Sequence, residues 1–232
     1  MSSAPATPPA AARRRRGWRA STVIGLVLLL GGLSILAWAA WQFFGTNITS
    51  ERAANSARNE LVQQWQASPA PKPSGKAKVD PLPKVPGDAF AIVRIPKLGA
   101  DWEWPLLVGT ELDDLARGIG WYETTARPGE VGNFAIAGHR VTHGEPFRRL
   151  LELQKGDQVV VETRSKIYTY ELDSSAAQLT VQDTEGWVLD PVPGKPSQQP
   201  TEALITLTTC QDLFHSPDRS VAFGHLVKTT DK

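Results

Sequence analysis

Cysteine is almost absent from this chain. Of 232 residues only Cys210 carries a thiol, so no disulfide can form within it. Histidine is scarce, at four residues: His139, His143, His215 and His225. No segment repeats internally, and no charged residue occurs between Arg19 and Glu51. The chain also has little excess charge, a net +1, but that figure hides a division: residues 1–87 carry a net +8 and residues 88–232 a net −7. An acidic body lacks the clustered cations that phosphate contacts need, which argues against nucleic acid as a partner.

The uncharged stretch is "STVIGLVLLLGGLSILAWAAWQFFGTN", preceded by Arg13, Arg14, Arg15, Arg16 and Arg19. Its apolar part, Thr22 to Phe44, meets the ~20-residue length of a bilayer-spanning helix. A cleaved signal peptide is the alternative, with "AWA" at Ala37–Ala39 as a cleavage site, but the apolar core of such peptides runs only ~7–15 residues. Trp38, Trp41, Phe43 and Phe44 stand at the far end, where aromatic rings favour the interface. The expectation is a basic cytoplasmic tail at 1–20 and an uncleaved anchor at 21–45. Arginines hold the N-terminus inside, so the rest of the chain lies outside the membrane.

Residues 46–87 read as a stalk. "ERAANSARNELVQQWQ" can form a short helix with Leu61 and Trp65 at i, i+4. "ASPAPKPSGKAKVDPLPKVPGD" is dense in Pro, Lys, Ser and Gly and reads as an extended linker. Treated as a flexible coil, the stalk has a reach of about 30–40 Å. Residues 88–232 then form one domain, mostly of strands: "AFAIVRIPKLG", "GNFAIAG", "DQVVVET", "KIYTYEL", "AQLTV", "EALITLTT" and "SVAFGHLVK" are rich in β-branched and aromatic residues and alternate apolar with polar. A hairpin turn is expected near Arg164–Ser165. "ELDDLARG" and "EPFRRLLELQKG" read as short helices ending at glycine. "VLDPVPGKPSQQPTE" is a long loop of the kind that often carries function. Many short strands with few helices predict a β-barrel or sandwich.

Outside the membrane thiols tend to be paired, so a lone Cys210 is either reactive or buried, and composition alone favours a buried structural role. Yet Cys210 ends a strand, where a side chain can reach an open rim. Arg219 follows nine residues later, at the head of the next β-like run. If these strands are neighbours, its guanidinium can hold a carbonyl oxygen or steady a thiolate. His139 ends the run "GNFAIAGHR" and is placed like a rim residue. Pattern alone does not choose among the four histidines. His139, His143 and Cys210 as metal ligands make a weak signal, and no metal or other cofactor is expected.

"TLTTC", Thr206 to Cys210, matches the TLxTC signature of sortases, the membrane-anchored cysteine transpeptidases of Gram-positive bacteria. "GNFAIAGHR" resembles the sortase segment carrying the active-site histidine, and Arg219 in "SPDRSVAFG" resembles the arginine of the following strand. The order and the 71-residue step from His139 to Cys210 fit as well. "PLLVGTELDDLARGIGWYETTARPGEVGNFAIAGHR" is similar to class E sortases of actinobacteria, many of which have His-Tyr where this chain has Trp121-Tyr122.

The resemblance implies an eight-stranded β-barrel. It further implies that Cys210 attacks the Thr–Gly carbonyl of an LPxTG- or LAxTG-type C-terminal sorting signal on a secreted protein, forming a thioacyl enzyme. His139 would protonate the leaving amine and then deprotonate the incoming one, and Arg219 would hold substrate backbone and oxyanion. Thr209 is a candidate for oxyanion or substrate contact. Tyr122 is a candidate for substrate binding, the family's tyrosine near this point being associated with preference for Ala over Pro in the signal. The acceptor would be a peptidoglycan-precursor amine. Alternatives are a sortase that polymerises pilins, a sortase-like hydrolase, and a non-catalytic membrane-tethered β-domain with Cys210 buried and inert. Against pilin polymerisation, "VDPLP" follows Asp-Pro with leucine and not an aromatic.

Overall fold

The structure is a computed structural model that describes residues 20–67, 82–83, 87–210 and 216–232. The arginine cluster, the Pro/Lys-rich part of the stalk at 68–81 and His215 lie outside the described residues. Contacts divide the chain after Ala40 into two units. In the first, α1 (Ala20–Ala40) is a 21-residue helix without a charged or buried residue. At ~1.5 Å per residue it is about 30 Å long, the thickness of a bilayer's hydrocarbon core. It is long and apolar enough to cross a membrane.

The second unit, Trp41–Lys232, is mainly β. Its strands are β1 (Ala89–Arg94), β2 (Glu103–Val108), β3 (Ile119–Trp121), β4 (Gly132–Ala137), β5 (Gln158–Glu162), β6 (Lys166–Leu172), β7 (Thr180–Gln182), β8 (Ala203–Cys210) and β9 (Asp218–Asp231). They pair in the order β6-β5-β1-β2-β3-β4-β8-β9, and β6 pairs with β9 to close an eight-stranded barrel. The ninth strand, β7, pairs with the first residues of β9, beyond the stretch that β6 uses. Alternate residues fill the interior: Leu106, Ile119, Phe134, Ile136, Val159, Val161, Tyr170, Ile205, Leu207 and Ala222 are buried in one core. Tyr170 is satisfied there because its hydroxyl accepts the Gly129 N–H at 2.7 Å.

Strands β2 and β3 are additions to the sequence reading. Proline interrupts "EWPLLV", and β3 is three residues around a glycine, too short to show alternation. Pro105 is tolerated because β3 pairs with β2 only from Leu106 onward, so no bond is lost on that side. α3 (Leu112–Leu115) links these two parallel strands. The expected helix at "EPFRRLLELQKG" is instead one 3₁₀ turn, Leu150–Glu152, in a run of i→i+3 hydrogen bonds. Its buried residues Phe147, Leu150 and Leu153 recur every third position, the repeat of a 3₁₀ and not an α-helix.

The start of the stalk is also more ordered than its composition suggests. After a π-helical turn at Trp41–Gly45, α2 runs from Thr46 to Ala67 and packs on β1 and β2. Its buried residues Ser50, Ala54, Ala57 and Leu61 recur at helical spacing, and being mostly small they let the helix lie close. Ion pairs tie the seat down: Arg58 and Arg94 both hold Glu103, and Arg94 and Lys232 both hold Glu162. Lys232 also stands 4.4 Å from the Trp65 ring centroid. Truncating Leu61, the largest buried side chain of this helix, should lower stability by about 2–5 kcal/mol. Chemical denaturation of Leu61→Ala checks this; a change within about 0.5 kcal/mol, as for an exposed position, would mean that α2 is not seated on the barrel.

Candidate active site

Side chains alternate along a strand, so one chain face carries Thr206, Thr208 and Cys210 and the other carries Ile205, Leu207 and Thr209. The second set faces the core. Cys210 therefore stands on the outer wall of the barrel, half-buried. β8 and β9 are antiparallel, with Cys210 directly opposite Arg219. Residues so paired share a face with Cβ atoms about 4.5–5.5 Å apart.

The histidine reaches the same face from the other side. β4 and β8 are parallel and in register, with Ala135 beside Thr206 and Ala137 beside Thr208. The ladder goes on past the strand end, where Gly138 N–H donates to Thr208 O at 3.2 Å. One more step of the same alternation, past the last paired residues, leads from Gly138 to His139 on the Cys210 side. Gly138 also fits because a Cβ there would fall 2.8 Å from the Phe147 ring. Cys210 and Arg219 thus share the outer face of β8 and β9, and His139 follows two residues past the end of β4. His225 does not join them: it is paired with Leu204, six residues and roughly 20 Å along β8, where its Nδ1 meets Asp173 at 3.0 Å.

Thr209 is turned the other way. Its hydroxyl donates to Gly138 O at 2.8 Å and is buried. That bond ties the end of β8 to the residue before His139, and it turns the Thr209 hydroxyl away from the outer face. Tyr122 follows β3, and its hydroxyl shares a hydrogen bond with that of Thr208 at 3.3 Å. It therefore stands on the Cys210 side, two residues along β8. Ala135 and Ala137 keep the adjoining floor low.

A cover lies on this outer wall. Val181, Val188 and Val221 form a small second cluster with Leu179, Trp187, Leu189 and Phe223 around it. A buried polar clamp holds it down: Asn133 donates to Val188 O at 2.9 Å and accepts from Thr206 Oγ1 at 2.7 Å. The Arg219 guanidinium donates to the carbonyls of Ser216 and Asp218 and faces the Asp183 carboxylate at 3.5 Å. Neither Asn133 nor Asp183 was singled out from sequence, because each matters only through contacts made by strand pairing.

His143 had a sequence signal only as a weak metal-ligand spacing, and its observed role is a ring contact. It lies against His139 with centroids 4.9 Å apart and planes 29° from parallel. Burial, together with the charge repulsion that His143 would exert, pushes His139 down to about 4. Burial lowers His143 too. Both rings are therefore neutral at pH 7. Among the described residues no three His, Cys, Asp or Glu side chains gather as a metal site. The backbone at His143, Gly144 and Glu145 is left-handed, with φ of 57°, 80° and 51°. Such a conformation costs a non-glycine residue roughly 1–3 kcal/mol and persists only where surroundings enforce it.

Comparison with known proteins agrees with this geometry. Residues 93–227 match the family model described as Sortase domain. The chain is 35% identical over 216 residues to Sortase SrtE1 of Streptomyces coelicolor, covering 90% of this chain and 58% of that protein. It thus spans less than two thirds of that relative's length. Sortase E from Streptomyces avermitilis superposes with a TM-score of 0.57 at 38% identity, over 63% of this chain and 93% of that one. Sortase E1 from Streptomyces coelicolor, solved with a tripeptide in the active site, gives 0.55 at 35% identity over 62% and 91%. The chain belongs to the sortase family and is class E-like within it.

Proposed function

We propose that this chain is a membrane-anchored cell-wall sorting transpeptidase. It cleaves the Thr–Gly bond of an LAxTG- or LPxTG-type C-terminal signal and transfers the protein to a peptidoglycan-precursor amine. The observation that carries this reading is the β8–β9 register, which pairs Cys210 with Arg219, and it is supported by the parallel β4–β8 pairing that leads on to His139. α1 serves as the anchor, within residues 21–45, with the tail at 1–20 in the cytoplasm and the barrel outside. The tripeptide in the related sortase E1 fits a peptide substrate.

The chemistry follows from the proton inventory. With the imidazole neutral at rest, His139 is free to take the thiol proton as Sγ attacks the Thr carbonyl. Negative charge then passes from sulfur to the carbonyl oxygen. The Arg219 guanidinium meets that charge. The imidazolium returns its proton to the glycine nitrogen, the C–N bond breaks, and a thioester remains on Cys210. The acceptor amine enters where glycine left, gives its proton to His139, and displaces the thiolate, which is reprotonated. No proton or electron is left over. Tyr122, beside Thr208, contacts the residue after Leu in the signal and favours Ala there.

Two outcomes test this. With LAETG and LPETG fluorogenic peptides and an amine acceptor, Cys210→Ala and His139→Ala abolish turnover. Arg219→Lys lowers kcat by about 10²–10³, the usual loss for an oxyanion donor, since an ammonium lacks the guanidinium fork. Full activity in Cys210→Ala would refute the mechanism. The second outcome is a pH profile. Once protonated, His139 cannot accept the thiol proton, so the acid limb of kcat/KM falls near pH 4 and not near the ordinary histidine value of about 6.5. Below about 6.5 the unfolded chain takes up a proton that folded His139 refuses, so stability also falls as pH drops toward 4 and levels off below it. An acid limb with its midpoint at 6.5 or above would contradict a neutral, half-buried His139.

A further inference from the structure

The histidine loop is not held by the barrel alone. Asn47, in the first turn of α2, reaches the left-handed turn with both ends of its amide. Its Nδ2 donates to Glu145 Oε1 at 2.8 Å, and its Oδ1 accepts the Gly144 N–H at 3.0 Å. Glu145 is steadied in turn by Arg148, whose guanidinium donates to Oε2 at 2.7 Å. Gly144 sits under α2 as well: a Cβ there would fall 2.7 Å from the Trp104 ring and 3.5 Å from Ser50 Cβ. The turn so fixed carries His143, whose ring lies on that of His139, while the loop's other end returns through Phe147 N–H to His139 O at 2.9 Å.

We propose that Asn47 is a positioning residue for His139. It locks the left-handed His143–Gly144–Glu145 turn, and the turn presses the His143 ring against the His139 ring. The helix that follows the membrane-type helix in sequence is thereby part of the active-site architecture and not only a tether. Three consecutive left-handed residues, two of them not glycine, need an enforcing contact. The amide of Asn47 satisfies one backbone donor and one side-chain acceptor of the turn. The catalytic consequence rests on the reading of His139 as proton carrier; the geometric one does not.

The test uses the full chain in detergent micelles. Asn47→Leu removes both hydrogen bonds, and Asn47→Asp keeps the acceptor but sets a carboxylate against Glu145. Adding Glu145→Gln to Asn47→Asp restores the pair with donor and acceptor exchanged. Both single variants should lower kcat by roughly ten- to a hundred-fold, the loss that about an ångström of misplacement brings, with KM unchanged and the thermal midpoint lowered by only a few degrees. The double variant should recover most of it. A second readout needs no substrate. Diethyl pyrocarbonate labelling of His139 should speed up several-fold in the single variants and slow again in the double one. Trypsin cuts after Arg140 and so separates His139 from His143 for mass spectrometry.

Wild-type kcat and labelling in Asn47→Leu would overturn the proposal. So would a loss in Asn47→Asp that Glu145→Gln does not recover, or a loss that merely tracks a fallen thermal midpoint. If labelling behaves as expected while His139→Ala remains fully active, the clamp stands as geometry and the proton-carrier reading fails.

Discussion

The parallel pairing of β4 with β8 is the constraint on which the rest of the site depends. Six consecutive residue pairs fix the register, from Gly132 with Ala203 to Ala137 with Thr208. A slip of one residue would turn Cys210 into the core and Thr209 outward. What prevents the slip is the inner face: Phe134, Ile136, Ile205 and Leu207 are fully buried, and burying each such side chain is worth about 1.5–3 kcal/mol. The apolar core thus specifies the polar chemistry of the opposite face. Thr209 adds a local lock, its hydroxyl holding Gly138 O one residue before His139.

Burial tunes what alignment assembles. His139 is covered by the His143 ring and the loop that turns through Phe147, and that cover keeps the imidazole neutral. In the proposed mechanism a neutral ring is ready to receive the thiol proton and to pass it on to a leaving amine. Strain is concentrated here too, since the only non-glycine left-handed residues among the described ones are His143 and Glu145. Contacts from α2 and β2 meet that strain, so the site draws on elements far from the TLxTC strand in sequence. The lone thiol fits this design: with no second cysteine in the chain, none can trap it internally.

Much of the fold was legible because its signals are local. The β5–β6 hairpin, the runs that became β4, β8 and β9, and the apolar α1 all show in windows of a few residues. Cys210 and Arg219 were readable as neighbours because a short connection between two strands makes them so. His139 was not readable from pattern, since its meeting with Cys210 depends on a parallel pairing between strands about 70 residues apart; only the resemblance to sortases singled it out. β2 and β3 were hidden by Pro105 and by brevity. The helix expected from Glu145 was misled by apolar residues whose three-residue spacing serves a 3₁₀ run. A helix at α2 was legible from Leu61 and Trp65 at i, i+4; its seating on the barrel was hidden, because alanines and a serine make most of the buried face and carry little hydrophobic signal. Asp183, Asn133 and Asn47 have no sequence signature, because each acquires its partner only when distant segments meet.

The central claim is that Cys210, served by His139, is the nucleophile of an acyl transfer. The most direct measurement is intact-protein mass spectrometry of the full chain incubated with an LAETG peptide and no acceptor amine, followed by peptide mapping at acid pH. The account predicts one adduct per chain, equal in mass to the peptide acyl portion ending at Thr, located on Cys210 and discharged by added amine. No adduct while the peptide is being cleaved, or an adduct on any residue other than Cys210, would contradict it.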